Sequence, residues 1–226
     1  MERKHSPFDH PDAIASYEVN AVRNVPGLAD LHRMVMLLLA ERTGTDAHIL
    51  VVGAGGGMET KAMAEAQPDW HFTGVDPSSA MLDLARRKLA PFAKRVDLIE
   101  GAIDQAPDGP FDGATCLLTL HHLDRTSRLQ TLRGIHHRLR PGANLVVAEH
   151  TAPGPDPGRW MRLSVAFSGR EGPDPAKSAA TAKLMTERLP LLSPAREEEL
   201  LCEAGFTNVE LYYAAFSFRG WVGTAC

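Results

Sequence analysis

The residues best suited to chemistry in this chain are a glycine cluster, Gly53-Ala54-Gly55-Gly56-Gly57, and an acid, Asp76, that follows it. Glycines let a backbone turn sharply and pass close to a ligand without Cβ clashes. An acid about twenty residues further on, at the end of the next apolar run, can accept hydrogen bonds from both hydroxyls of a ribose. Together they describe a site for an adenosine-containing cofactor. The glycine spacing is GxGxG, with Met58 where a nicotinamide site would carry its third glycine. A nicotinamide-dependent reductase is therefore the weakest enzymatic reading. A purely structural strand-to-helix turn also uses such glycines, and Asp76 argues against it.

Histidines supply the second set of candidates. His121 and His122 follow the fourth apolar run, and His150 follows the fifth, where the loops of an open α/β sheet gather. His121 could act as a base because imidazole titrates near neutrality, and His150 is a second candidate, with Glu149 beside it to orient a substrate donor. Packing of these rings beneath a ligand, or exposure to solvent, is the competing reading. His136 and His137 lie mid-helix and read as surface or packing residues.

These residues need elements to hold them. Strand candidates are 49–52, 71–75, 96–99, 113–118 and 144–149, with helices predicted at 59–66, 78–89 and 127–139. Ser78 or Ser79 can cap the second helix, and Pro141-Gly142 is expected to terminate the third. Continuous apolar runs such as Cys116-Leu117-Leu118 imply a parallel sheet covered on both faces, and the alternation of strand and helix implies a doubly wound α/β fold. Ahead of this rhythm lie helical segments at 14–22 and 28–42. After it, prolines and glycines bracket two short helices at 159–167 and 176–189, followed by a helix at 194–204 and strand-like runs at 208–214 and 216–222. The expected organisation is one domain over 1–226: a helical N-terminal lid (1–44), a cofactor-binding core (45–150), a cap insertion (151–194) and a C-terminal helix with hairpin (195–226).

Bulk properties narrow the classes. The chain has 226 residues, 44% hydrophobic and 23% charged, with a net charge of -4 that supplies no broad basic face for nucleic acid. No apolar stretch is long enough to span a bilayer, and the N-terminus lacks a signal-peptide core. Cys116, Cys202 and Cys226 form no CxxC pair, so no metal site is expected and reduced thiols in a cytoplasmic protein are. Oligomeric state is left open, a homodimer included.

In its ordered motifs the chain resembles the class I S-adenosylmethionine-dependent methyltransferases. The resemblance runs from about Val25 to the C-terminus. It includes the glycine loop, Asp76, the third-strand segment Ile99-Glu100-Gly101-Ala102-Ile103, the run Phe111 to Leu123, the segment Leu139 to Glu149 and the closing Glu203-Ala204-Gly205-Phe206. It implies a Rossmann-like, mostly parallel seven-stranded sheet with an antiparallel terminal hairpin, and S-adenosylmethionine as cofactor. By the same resemblance, Gly53, Ala54, Gly55 and Gly57 would hold the methionine portion and Asp76 the ribose. Pro77 and Met81 would wall the adenine, Ala102 and Ile103 would lie along its edge, and Leu117 and Leu118 would contact the cofactor from the fourth strand. Arg23 is a candidate partner for the methionine carboxylate. Tyr17, Arg159 and Arg162 lie in covering segments, while Trp160 and Met161 either line an acceptor pocket or anchor the cap.

Three departures shape the functional reading. Val25-Pro26-Gly27 and Tyr213 to Phe218 are similar to the branch that contains carboxy-S-adenosylmethionine synthase, a tRNA-modification enzyme. Leu28, however, replaces that branch's aromatic residue, and its arginine has no clear counterpart near Ala182–Leu184; Lys183 there lacks a bidentate fork. Val51 occupies the position where the wider family carries an acid, and Glu59 could substitute from the start of the following helix. Replacing Val51 by aspartate is accordingly expected to leave binding equal or improve it. The expectation is methyl transfer to a small molecule. Its rivals are the tRNA-linked carboxymethyl chemistry and a cofactor-binding protein without methyltransferase activity.

Overall fold

Strands with apolar residues on both faces need helices on both sides, and the chain supplies them. In a computed structural model, which describes residues 11–169 and 174–226, the strands are β1 (His48–Val52), β2 (His71–Asp76), β3 (Val96–Glu100), β4 (Phe111–Leu117), β5 (Leu139–His150), β6 (Phe206–Ala215) and β7 (Phe218–Ala225). They form a seven-stranded sheet in the order β3-β2-β1-β4-β5-β7-β6. The pairs from β3 to β5 are parallel, and β7 runs antiparallel between β5 and β6. Strand order reverses between β1 and β4. The carboxyl ends of those two strands therefore frame the crevice where open α/β sheets bind ligands.

The helices are α1 (Pro11–Asn24), α2 (Leu28–Ala40), α3 (Met58–Ala66), α4 (Ser79–Lys88), α5 (Arg125–Arg138), α6 (Pro157–Phe167), α7 (Pro175–Arg188) and α8 (Pro194–Glu203). Side chains close several N-termini: Ser78, Asp124, Asp156, Asp174 and Ser193 each accept from a backbone N–H of the first turn. Alternation along β1 divides the core. Ile49 and Val51 join Leu31, Val35, Leu39, Trp70 and Phe72 on one face; Leu50 and Val52 join Leu132, Ile135, Leu200 and Trp221 on the other. Among the described residues no helix is long and apolar enough to cross a membrane.

Two local expectations are corrected. Helix α5 ends at Arg138, before Pro141-Gly142, and those residues instead enter β5. Phe111 pairs with Leu139 but Gly113 with Asn144, so the β5 side carries extra residues, and Gly142 takes φ 83 within that irregularity. Proline is tolerated in a strand where the ladder is broken, so here it marks a bulge and not a helix stop. The terminal hairpin turns at Phe216-Ser217, with Phe216 in the left-handed region at φ 51. An aromatic residue there gives no sequence signal for a turn.

Candidate functional site

The glycine loop leaves β1 and is tied to the neighbouring strand, where the N–H groups of Gly53 and Ala54 both donate to the Val75 carbonyl (2.9 and 3.0 Å). At Gly53, φ is 77 and a Cβ would fall 2.0 Å from Thr119 Oγ1, so the loop and the end of β4 interlock only around glycine. At Gly55, φ is 50 and a Cβ would reach the Tyr17 hydroxyl at 3.0 Å, because Tyr17 of α1 lies over the loop. Asp76 closes the arrangement. Its Oδ2 accepts from Gly55 N at 2.8 Å and its Oδ1 from Ser78 N at 2.9 Å. A carboxylate has about four lone-pair sites, so each oxygen keeps acceptor capacity. Burial raises the Asp76 carboxyl above its ordinary range, and the two N–H bonds oppose that shift.

These residues border a cavity of about 830 Å³, inside the range of roughly 300–1,000 Å³ typical of small-molecule sites. From the loop and β2 come Gly53, Ala54, Gly55, Asp76, Pro77, Ser78 and Met81. From the end of β4 come Leu117, Leu118, Thr119, His122 and Leu123. Helices α1 to α3 add Tyr17, Ala21, Leu28, His32, Met58 and Glu59, and the end of α7 adds Arg188 and Leu189. Leu118 holds φ 56, a strained conformation for a branched side chain, and its N–H donates to Ala148 O at 2.6 Å.

The cavity has a second buried acid. Glu59, in the first turn of α3, accepts from Thr115 Oγ1 of β4 at 2.5 Å. Burial pushes its carboxyl up to about 7, against the opposing pull of that hydroxyl. Tyr17 is pushed up to about 12 by burial, with Glu59, Asp76 and Glu18 adding to the shift. His32 is lowered by burial to about 4, and His122 is also lowered by burial, so both are neutral at pH 7.

Other candidates stand outside the lining. Ile103 is buried in the core under α5, where it meets the open face of Gly134, and exposed Ala102 donates its N–H to Gln105 Oε1. Gly57 caps α3 against Leu89 and Ala85. The Arg23 guanidinium donates to the Ser168 carbonyl at the end of α6 (2.7 and 3.2 Å), so it fastens α1 to the cap. His121 is buried, with Nδ1 accepting from His150 N at 3.4 Å. His150 pairs with Ser217 Oγ at 2.8 Å and stacks on Phe218, and Ser217 in turn meets Ser164 Oγ at 2.7 Å. Burial drives both rings to the neutral form, His150 to about 3. Glu149 is likewise buried, beside Arg128, which also pairs with Glu197. Met161 packs in the interior, Arg159 lies over the Trp160 ring, Arg162 faces Asp156, and Lys183 pairs with Glu187 at 3.9 Å on an exposed face of α7. His32, Thr119 and Arg188 line the cavity without having been singled out; nothing in their local sequence marks them.

Comparisons with known proteins agree with this geometry. A family model described as a methyltransferase domain matches residues 50–145. The carboxy-S-adenosyl-L-methionine synthase of Citrifermentans bemidjiense is 26% identical over 209 residues, spanning 88% of this chain and 85% of that protein. An O-methyltransferase family protein from Burkholderia thailandensis superposes with a TM-score of 0.65 at 15% identity, and PigF with SAH superposes with 0.57 at 22%. The matches cover 96% and 80% of this chain but only 61% and 56% of those longer proteins, and at such identities they show the fold alone.

Proposed function

The chain belongs to the class I S-adenosylmethionine-dependent methyltransferases, and on that premise we propose that it methylates a small-molecule acceptor. The observation that carries this reading is the single cavity that joins the braced glycine loop and Asp76 to an apolar chamber closed by α1, α2 and the end of α7. The residues fit the cofactor. Gly53 and Gly55 leave room that a Cβ would fill, and Asp76 keeps an acceptor site on each oxygen for a ribose diol.

When bound, S-adenosylmethionine supplies a methyl group already activated on a sulfonium. The chain's own work is to orient and to exclude water. Asp76 fixes the ribose, while Pro77, Met81, Leu117 and Leu118 present apolar walls. Orientation of this kind contributes on the order of 7–11 kcal/mol to a displacement. His32 and His122 are both neutral imidazoles on the cavity wall; His32 is lowered to about 4 and is the weaker base, so His122, in place of His121 or His150, is the candidate to take a proton from an acceptor hydroxyl or amine. The described residues of the two covering segments, 11–44 on one side and 151–169 with 174–194 on the other, act as lid and cap, coupled by the Arg23 bond to Ser168. The free thiols of Cys116, Cys202 and Cys226 suit the reducing cytoplasm.

The test is calorimetric titration with S-adenosylmethionine, S-adenosylhomocysteine and NAD, followed by incubation with methyl-labelled cofactor and a panel of phenols, amines, thiols and carboxylic acids. Binding of the first two ligands with label transferred to one acceptor class is expected. Binding of NAD alone would overturn the cofactor assignment, and cofactor binding with no label transfer to any acceptor would overturn the catalytic one.

A further inference from the structure

Asp76 is satisfied by backbone N–H groups, but the second acid of the cavity is not balanced in the same way. Glu59 has a single hydroxyl donor, Thr115, and among the described residues it forms no ion pair. The ionisable groups around it come from five elements: Tyr17 on α1, His32 on α2, Asp76 at the end of β2, Cys116 on β4 and Tyr212 on β6. None of these is a cation at pH 7; Arg188 at the end of α7 and His122 after β4 line the same cavity, and neither forms an ion pair with Glu59. A carboxylate buried without a positive partner is costly, and such groups are ordinarily paired or kept protonated. Glu59 nevertheless lines the cavity wall, in the first turn of α3, where the helix dipole favours negative charge.

We infer that Glu59 receives the cationic centre of the bound ligand and gives up a proton to solvent as it does so. The inference rests on the methyltransferase reading, because S-adenosylmethionine carries two such centres, an ammonium and a sulfonium. In the free protein near pH 7 the Glu59 carboxyl is about half protonated, since burial raises it to about 7. A cation placed beside it favours the ionised form. The sign follows from linkage: binding releases a proton below that value and little above it, so affinity falls as pH is lowered, by up to about tenfold per pH unit. His32, lowered to about 4, stays neutral across this window.

The experiment is calorimetry of the full chain with S-adenosylmethionine and S-adenosylhomocysteine at about pH 6 and about pH 8, in buffers of low and high ionisation enthalpy. The wild type should release close to one proton at the lower pH. Glu59→Gln, which keeps the volume and an acceptor for Thr115, should release none and bind about tenfold more weakly at the higher pH. The ligand's own α-amino group titrates near pH 8, and the difference between wild type and variant removes it. Equal release by both ligands assigns the ammonium; release with S-adenosylmethionine alone assigns the sulfonium. If Glu59→Gln does not fold, Thr115→Val serves instead, and the pH midpoint of binding should move upward once the stabilising hydroxyl is gone. Equal proton counts in wild type and Glu59→Gln, or an unmoved midpoint in Thr115→Val, overturn the inference while leaving the cofactor assignment intact. Absence of S-adenosylmethionine binding by wild type overturns both.

Discussion

Asp76→Ala is the substitution that most directly tests the site. The carboxylate accepts from Gly55 N and Ser78 N and has roughly two acceptor sites left for ribose hydroxyls. A hydrogen bond to a charged group contributes about 1.5–3 kcal/mol, so loss of two ligand bonds removes about 3–6 kcal/mol. At 1.4 kcal/mol per decade this is on the order of a hundredfold to ten-thousandfold in affinity. The fold should lose far less. Both N–H groups lie at a cavity that water can enter, and removing a carboxylate whose ionised form is disfavoured by burial offsets part of the cost. A stability loss of about 1–2 kcal/mol, or roughly 2–8 °C in Tm, is expected. Calorimetry with S-adenosylmethionine measures the first effect and a thermal melt the second. Asp76→Asn, which keeps one acceptor oxygen, should fall between wild type and alanine. A folded Asp76→Ala protein that binds with unchanged Kd would refute the ribose assignment.

Gly53→Ala should abolish binding and lower stability by about 1–3 kcal/mol, because φ is 77 and the new Cβ meets Thr119 Oγ1 at 2.0 Å; a melt and a titration like those of wild type would contradict the interlock. Val51→Asp, which sequence alone predicts to be neutral or favourable for binding, is expected to destabilise the fold: Val51 is fully buried and pairs in register with Thr115, whose hydroxyl serves Glu59, so a second carboxylate would be buried beside the first. The expected loss is about 3 kcal/mol, and an unchanged Tm with tighter binding would restore the earlier expectation. Arg128→Ala leaves Glu149 and Glu197 buried without their guanidinium and frees the Leu123 and Pro190 carbonyls that Arg128 also serves. Breaking a buried pair in this way costs about 3–5 kcal/mol, a Tm drop of roughly 6–20 °C, and a melt within experimental error of wild type would show the cluster to be dispensable.

Much of the glycine loop's geometry was legible in the sequence, for a local reason. A strand, a turn that demands positive φ, a helix and an acid after the next strand are fixed by neighbouring residues, so Gly53, Gly55 and Asp76 could be read from spacing and carry the observed loop. The parallel sheet was legible for the same reason, since apolar runs without alternation need cover on both faces. The wall of the cavity beyond that loop was not. Leu120–His122 is a 3₁₀ turn, in which each residue rotates by about 120°; that rotation sends His121 into the core and leaves His122 on the cavity wall. Glu59 reads locally as an ordinary acid at a helix start, and only the packing of β4 against α3 turns it into a buried carboxyl bonded to Thr115. Arg23 finds a carbonyl 145 residues away, and Arg128 finds Glu149 and Glu197 on two other elements. Spacing along the chain determines which backbone turns and which faces are apolar. Which of two adjacent side chains meets the cavity, and which distant charge meets another, is decided only when the elements pack.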